Sequence, residues 1–142
     1  MKKILLFCVA AVLLQARLAY SDAGEKQSWD DMPLEDKFFH KAQFIVMNAG
    51  RANLSDERTQ NISDLKYQIR KEVIRMNADI EILSMEIWQK IYEKPVDMAE
   101  INDLINQKYA LKKELARTLI AAYVELINIP TADEWRELKK NW

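Results

Sequence analysis

Hydrophobic positions recur with a helical period through the middle of the chain. From Ile62 to Ile91 the apolar residues advance 29 positions in eight steps, close to the 3.6 residues of one helical turn. With 100° added per residue, all of them fall within about 60° of Ile62. They are Ile62, Leu65, Ile69, Val73, Met76, Ile80, Leu83, Ile87 and Ile91. This period predicts one long helix and not a strand.

The same predicted helix carries a second apolar stripe. The remaining apolar residues of the segment lie at about 80° to 200° from Ile62. They are Tyr67, Ile74, Ala78, Ile82, Met85, Trp88 and Tyr92. A helix with two apolar sides needs two partners, because one neighbouring helix covers only one side.

Capping residues and helix breakers predict four helices in all. Their predicted ranges are 33–49, 55–93, 97–128 and a short segment that begins at residue 131. Ser55 and Asp97 suit N-caps, and Pro95 ends the second helix. Thr131 repeats the same kind of start signal just after Pro130.

The connection at residues 94–96 is so short that the second and third helices are expected to fold back antiparallel. The third helix offers a matching stripe of Ile101, Leu104, Ile105, Leu111, Leu115, Leu119, Ala122 and Leu126. With two Gly and three Pro in 142 residues, the chain has too few turn formers for a β domain. The predicted fold is therefore all-α, a long antiparallel helical hairpin with short flanking N- and C-terminal helices. A homodimer is the favoured cover for the second stripe, since a monomer rarely exposes so large an apolar face.

The first 23 residues have the layout of a secretory signal peptide. A basic start at Lys2 and Lys3 precedes an apolar run over 4–14, and small residues follow at 19, 21 and 23. Cleavage is predicted after Ser21 or Ala23, which leaves residues 24–142 as a single domain. The run is shorter than the roughly 20 residues of a membrane span, so we expect export to the periplasm without stable membrane insertion. An uncleaved N-terminal anchor is the alternative.

Removal of residues 1–23 changes both the charge and the cysteine content. It takes away three basic residues and one acidic residue, so 18 basic and 21 acidic residues remain and the net charge is −3. The only cysteine, Cys8, is removed as well. A mildly acidic chain argues against nucleic acid as a partner. An exported protein without disulfides is held together by helix packing, a metal or oligomerisation.

The sequence offers few metal ligands and no catalytic motif. His40 is the only histidine, and with Glu35, Asp36 or Met47 it makes a poor candidate site for a divalent transition metal. Position 44 is Phe, so the spacing that places two imidazoles on one helical face is missing. The favoured interpretation of His40 is an ordinary helix residue. We expect no cofactor and no enzyme activity, because no known catalytic constellation is present.

Two short segments give the chain a family resemblance. LSDER at 54–58 opens the second helix and TADEWR at 131–136 opens the last. Together with the signal peptide and the Pro-Val-Asp turn at 95–97, this organisation resembles the Spy/CpxP family of periplasmic LTxxQ-motif proteins. Zinc-resistance-associated and CnrX-like heavy-metal sensor proteins are related to that family. In the first copy of the motif, Ser55 replaces Thr and Arg58 replaces Gln. In the second copy, Pro130 replaces Leu and the Gln is missing.

The resemblance implies one of two activities. The first is a curved antiparallel helical dimer whose concave face holds unfolded polypeptide without ATP. The second is a periplasmic sensor whose hairpin binds metal and reports to a membrane-bound partner.

The residues favour the first activity. Adaptable apolar side chains with charge nearby suit weak binding of many sequences. The candidate binding residues are Ile74, Ala78, Ile82, Met85, Trp88 and Tyr92. Six cations are expected to meet in the hairpin and to attract acidic segments of a partner. They are Arg70, Lys71, Arg75, Lys112, Lys113 and Arg117.

Each of these surfaces has an alternative interpretation. In the alternative for the second stripe, a dimer or the flanking helices cover it. In the alternative for the cations, each is a solvated side chain paired with local acids. Three functions therefore follow as hypotheses: a periplasmic ATP-independent chaperone or envelope-stress adaptor, a heavy-metal sensor or resistance protein, and a structural or assembly subunit. The expected partners are a second copy and an unfolded or membrane-linked protein.

Overall fold

The computed structural model describes residues 29–140. This part of the chain contains four α-helices and a 3-10 turn at Trp29–Asp31, and no strand. The helices are α1 (Leu34–Met47), α2 (Asp56–Tyr92), α3 (Met98–Asn128) and α4 (Ala132–Lys139). The predicted all-α hairpin with short flanking helices is confirmed. The predicted signal peptide lies outside the described residues.

The described residues belong to two units, which meet between Met32 and Pro33. The 3-10 turn belongs to the first unit, and its Met32 N–H donates to the carbonyl of Trp29. All four α-helices belong to the second unit. None of these helices is both long and apolar enough to cross a bilayer.

Side-chain caps fix where three of the helices begin. The Ser55 hydroxyl accepts a 3.3 Å hydrogen bond from the N–H of Arg58, and the Asp97 carboxylate accepts one of 2.9 Å from the N–H of Ala99. Thr131 and Glu134 form a reciprocal capping box at the start of α4. These caps satisfy N–H groups that have no partner inside the helix. The predicted starts at residues 55, 97 and 131 are confirmed.

The hairpin consists of α2 and α3, about 55 Å and about 46 Å long at 1.5 Å per residue. An ion pair of 3.0 Å joins Lys90 Nζ of α2 to Glu100 Oε1 of α3 beside the turn. Hydrogen bonds to Glu100 and then to Glu93 raise the pKa of the Lys90 ammonium above its usual value. The Lys90 to Glu100 pair also sets the register, so that residues whose numbers add to about 190 lie side by side.

Burial along α2 falls from the open end of the hairpin towards its turn. The buried residues of α2 are Ile62, Leu65, Ile69, Val73 and Met76. The next positions of the stripe, at 80, 83 and 87, are only half-buried, and Ile91 is 41% exposed. The stripe predicted to be buried is therefore covered only in part. On α3 the fully buried residues are Ile101, Leu119, Ala122 and Leu126.

Helix α1 packs on both helices of the hairpin and runs antiparallel to α2. Near its C-terminal end, Gln43 accepts a hydrogen bond from Lys66. Near its N-terminal end, Glu35 lies 3.4 Å from Arg70, whose guanidinium stacks 3.5 Å from the ring centroid of Phe39. Since α1 is about 21 Å long, it covers α2 only as far as Arg70.

Helix α4 closes the open end of the hairpin. Leu138 is fully buried in the core, and the Trp135 indole N–H donates a 2.8 Å hydrogen bond to the carbonyl of Ile127. Arg58 reaches Glu134 at 2.8 Å and so joins the start of α2 to the start of α4. Burial alone would raise the pKa of the Glu134 carboxyl. Hydrogen bonds from Thr131 and the ion pair with Arg58 have the larger, opposite effect, so the net pKa lies below the usual 4.5.

The burial gradient predicts how α2 responds to truncation at two positions. Ile62→Ala removes a side chain that is 0% exposed and is expected to lower the free energy of unfolding by about 2–4 kcal/mol. Ile91→Ala makes the same change on the same stripe at a position that is 41% exposed, and a loss below about 1 kcal/mol is expected. Urea denaturation at neutral pH measures both. Equal losses would contradict the fall in burial along this stripe of α2.

The Arg58 to Glu134 pair predicts a pH dependence of stability. Because the folded-state pKa of Glu134 lies below the unfolded value, the carboxylate stabilises the fold above about pH 4.5, and this contribution is lost as the pH falls through the folded value. Glu134→Gln is expected to cost about 1–2 kcal/mol at neutral pH and to flatten the profile below pH 5. Urea denaturation from pH 3 to 7 tests this.

The matched control for the pH experiment is Asp133→Asn on the same helix. Asp133 pairs with Arg136 at 2.9 Å, but its side chain is 85% exposed. We expect this variant to keep the acid dependence of the wild type. Flattening by Asp133→Asn, or an unchanged profile in Glu134→Gln, would contradict the assignment to Glu134.

Candidate functional site

The six candidate binding residues form one exposed stripe on α2. The α2 outer stripe is Ile74, Ala78, Ile82, Met85, Trp88 and Tyr92. Its large side chains are exposed from 47% for Ile82 to 79% for Tyr92. Neither α1 nor α4 covers them. The alternative in which the flanking helices seal this stripe is therefore wrong for the single chain.

The position of the stripe follows from the helix period and from the length of α1. The stripe is centred about 140° from the buried residue Ile62, so it points away from α3. Arg70, which contacts the N-terminal end of α1, precedes Ile74 by about one turn. The stripe therefore begins just beyond the N-terminal end of α1, on the part of α2 that α1 does not cover, and it continues for about 27 Å to Tyr92.

The chemistry of this surface suits non-covalent contact with apolar side chains. Trp88 and Tyr92 lie one turn apart near the hairpin turn, and Met85 lies one turn before Trp88. Aromatic rings bring large contact areas, and the unbranched Met adapts to irregular shapes. No bond formation or proton transfer is needed for such binding.

A crevice between α1 and α2 extends the stripe towards the open end of the hairpin. Its volume is about 280 Å³, and it is lined by Val46, Ser63, Lys66, Tyr67 and Arg70. Ser63 already donates to the carbonyl of Thr59. The crevice places the cations Lys66 and Arg70 beside the apolar side chains of Val46 and Tyr67. Arg70 lies about one turn before Ile74, the first residue of the stripe.

The six cations expected to meet in the hairpin have different surroundings. On α2, Arg70 pairs with Glu35, and Arg75 lies 3.7 Å from both Glu72 and Asp79. Those two arginines match the alternative of pairing with local acids.

Two of the three lysines of the set lie near aromatic rings instead. Lys71 lies 5.6 Å from the ring centroid of Tyr67, and Lys112 lies 5.5 Å from that of Tyr109. On α3, Lys113 and Arg117 are rotated by about 120° and 160° from buried Ile101, so they point away from α2. Within residues 29–140 no acidic side chain or ring contacts both an α2 cation and an α3 cation of the set. A joint role for the six stays a prediction.

The candidate metal ligand His40 lies on the exposed side of α1. Across the described part of the chain, no group of three or more His, Cys, Asp or Glu side chains is placed to hold a metal ion. No observation here favours the heavy-metal hypothesis over the others.

Sequence reasoning missed a set of exposed apolar residues outside the α2 outer stripe. They are Val96, Met98, Tyr109, Ile120, Val124 and Ile127. Four of them recur on α3 at positions 109, 120, 124 and 127, with Ala116 between. This helical spacing could have predicted a second apolar row on α3. Only the stripe of α3 that packs against α2 was assigned from the sequence.

No protein-family model, curated protein or solved structure matches the chain. The resemblance to the Spy/CpxP family therefore rests on the organisation of the sequence alone.

Proposed function

We propose that this chain is an exported, ATP-independent polypeptide-binding protein, a chaperone or envelope-stress adaptor of the Spy/CpxP type that works in the periplasm. The single observation that carries the proposal is the α2 outer stripe, a row of large exposed apolar side chains that runs along one long helix. A soluble protein rarely keeps such a row without a use for it.

The energetics of the stripe suit weak and reversible binding. Covering one large apolar side chain contributes about 1.5–3 kcal/mol, so a few contacts together hold an unfolded segment against its loss of freedom. Because the row is narrow and contains Met85, it accepts many sequences and favours none strongly. Unfolded chains expose the apolar side chains that this row would cover, whereas folded proteins bury theirs.

A positive charge borders the open end of the stripe, whereas the exposed carboxylate of Glu81 lies within the stripe itself. Lys71 is rotated by about 60° from Ile74 and lies about one turn before it, so it borders the open end of the stripe. Its ammonium lies 5.6 Å from the ring centroid of Tyr67, and among residues 29–140 it takes part in no ion pair. A positive charge beside an apolar row attracts acidic segments over roughly one Debye length, about 8 Å at physiological salt.

The partners in this proposal are a second copy of the chain and an unfolded or membrane-linked protein. The structural or assembly hypothesis uses the same exposed stripe for a fixed partner and differs only in the range of sequences bound.

Two charge insertions in the α2 outer stripe test the function. Met85→Glu with Trp88→Glu is expected to abolish the protection of a denatured client protein against aggregation, because the contacts become charged. Light scattering of the client without ATP measures protection, and circular dichroism checks that helicity is kept. Undiminished protection by this variant would rule out the stripe.

The matched control places the same added charge elsewhere on the hairpin. Gln68→Glu with Gln107→Glu changes one exposed residue of α2 and one of α3, both outside the stripe. We expect protection close to that of the wild type. A wild type that protects no client at all would refute the chaperone function and leave a fixed structural partner.

A pair of lysine reversals tests the role of charge. Lys71→Glu is expected to slow the association of an acidic, apolar peptide by about two- to fivefold at low salt. Lys112→Glu is the control, since it removes a lysine with a similar ring contact from the other helix. Stopped-flow mixing at two salt concentrations measures the rates. Equal slowing by both variants would show that position beside the stripe does not matter.

A further inference from the structure

The crevice between α1 and α2 holds two cations that lie one helical turn apart. Lys66 and Arg70 both line it, four residues apart on α2. Like charges at this spacing repel each other, because residues four apart on a helix are neighbours. Within residues 29–140 the one carboxylate that pairs with either cation is that of Glu35, 3.4 Å from Arg70. The crevice therefore keeps a net positive charge.

Both cations have more N–H groups than their described contacts use. Lys66 donates to the side-chain carbonyl of Gln43, and an ammonium group carries three donors. Arg70 donates to Glu35 through Nη1, and a guanidinium carries five donors in one plane. This plane stacks 3.5 Å from the ring centroid of Phe39, which restricts its movement. An incoming carboxylate therefore meets donors that are already in position.

The rest of the crevice is small and mostly apolar. Val46 and the ring of Tyr67 form its wall, and the hydroxyl of Ser63 already donates to the backbone. A hydrated inorganic anion would leave this wall in water, whereas an anion attached to an apolar group would cover it. The volume of about 280 Å³ lies just below the roughly 300–1,000 Å³ of most ligand pockets. The crevice therefore suits a single apolar side chain beside a carboxylate.

We propose that the crevice binds the C-terminal residue of a polypeptide, with its carboxylate on Lys66 and Arg70 and its apolar side chain against Val46 and Tyr67. The C-terminus is the one place in a polypeptide where a carboxylate and an apolar side chain belong to the same residue. This inference rests on the proposed function, because the rest of the bound segment lies on the α2 outer stripe.

The α2 outer stripe continues from the crevice on the same side of α2. Tyr67 and Ile74 are rotated by about 140° and 120° from Ile62. From Lys66 to Tyr92 the helix rises about 39 Å, which an extended polypeptide of about 12 residues spans. A C-terminus in the crevice also fixes the direction of the bound chain, which runs from the hairpin turn towards the open end. A fatty acid offers the same carboxylate, but its tail would lie half in water along an open helix, whereas a peptide backbone is well solvated there.

Fluorescence anisotropy with three peptides of this length, labelled at the N-terminus and otherwise identical, tests the proposal. The first ends in Leu with a free carboxylate, the second in Leu with a C-terminal amide, and the third in Gly with a free carboxylate. The first is expected to bind about tenfold more tightly than the second, because the amide removes charged hydrogen bonds. It is expected to bind about fivefold more tightly than the third, which offers the wall no side chain.

A substitution in the crevice and a matched control assign the preference to its cations. Lys66→Gln is expected to reduce the preference for the acid over the amide to less than about threefold and to leave binding of the amide unchanged. Lys113→Gln removes an exposed lysine of α3 outside the crevice and is expected to keep the full preference. Circular dichroism checks the fold of both variants. If Lys66→Gln does not fold, the comparison of the three peptides on the wild type still decides.

The outcomes separate this inference from the proposed function. Equal binding of the acid and the amide, or a full preference in Lys66→Gln, would overturn the inference and leave the proposed function intact, since the stripe would still hold both peptides. No binding of any of the three peptides would refute both. Calorimetric binding of octanoate by a protein that does not prefer the peptide acid would assign the crevice to a fatty acid, and this would also overturn the inference.

Discussion

The main constraint on this fold is a difference in length between the helices that form the hairpin and the helices that cover it. Helix α2 has 37 residues, whereas α1 has 14 and α4 has 8. At 1.5 Å per residue, α1 is about 21 Å long, less than half of the roughly 55 Å of α2, and α4 adds about 12 Å at the open end only. Ile62 at the covered end is therefore fully buried, while Ile91 at the turn is not, although both lie on the same stripe. The exposed apolar surface is a direct consequence of this mismatch.

Polar contacts hold the short helices at the open end. The Arg58 to Glu134 pair joins the first turn of α2 to the first turn of α4, next to the reciprocal cap of Thr131 and Glu134. Glu134 is nearly buried, so a loss of its partner would leave a charged group in an apolar setting. Leu138 then packs beneath it in the core. The docking of α4 thus combines an apolar anchor with an oriented ion pair.

Much of the fold could be predicted from local sequence signals. Ser55, Asp97 and Thr131 marked helix starts that the structure reproduces, because a cap depends on neighbouring residues only. The two stripes of α2 followed from the helical period. The partial burial of the first stripe could not be predicted, since it depends on where α1 lies. That position is set by contacts such as Arg70 with Phe39, which are 31 residues apart.

The candidate site was predictable to a similar extent. The α2 outer stripe followed from periodicity, and its exposure agrees with the absence of a third long helix. The expectation that six cations form one patch assumed that residues at the same level of a hairpin share a face. Residues at the same height along two antiparallel helices can still point in different directions. At about 100° per residue, Lys113 and Arg117 are turned away from α2. The exposed apolar residues of α3 at positions 120, 124 and 127 recur at helical spacing in the sequence, but the sequence alone assigned them no role.

The exposed apolar side chains of the hairpin lie on two faces that point in different directions. The α2 outer stripe points away from α3, and the exposed apolar residues of α3 at positions 120, 124 and 127 point away from the core. Association of two copies through the α2 outer stripe would cover Met85 and Trp88, and it would therefore compete with the binding of any other polypeptide to that surface.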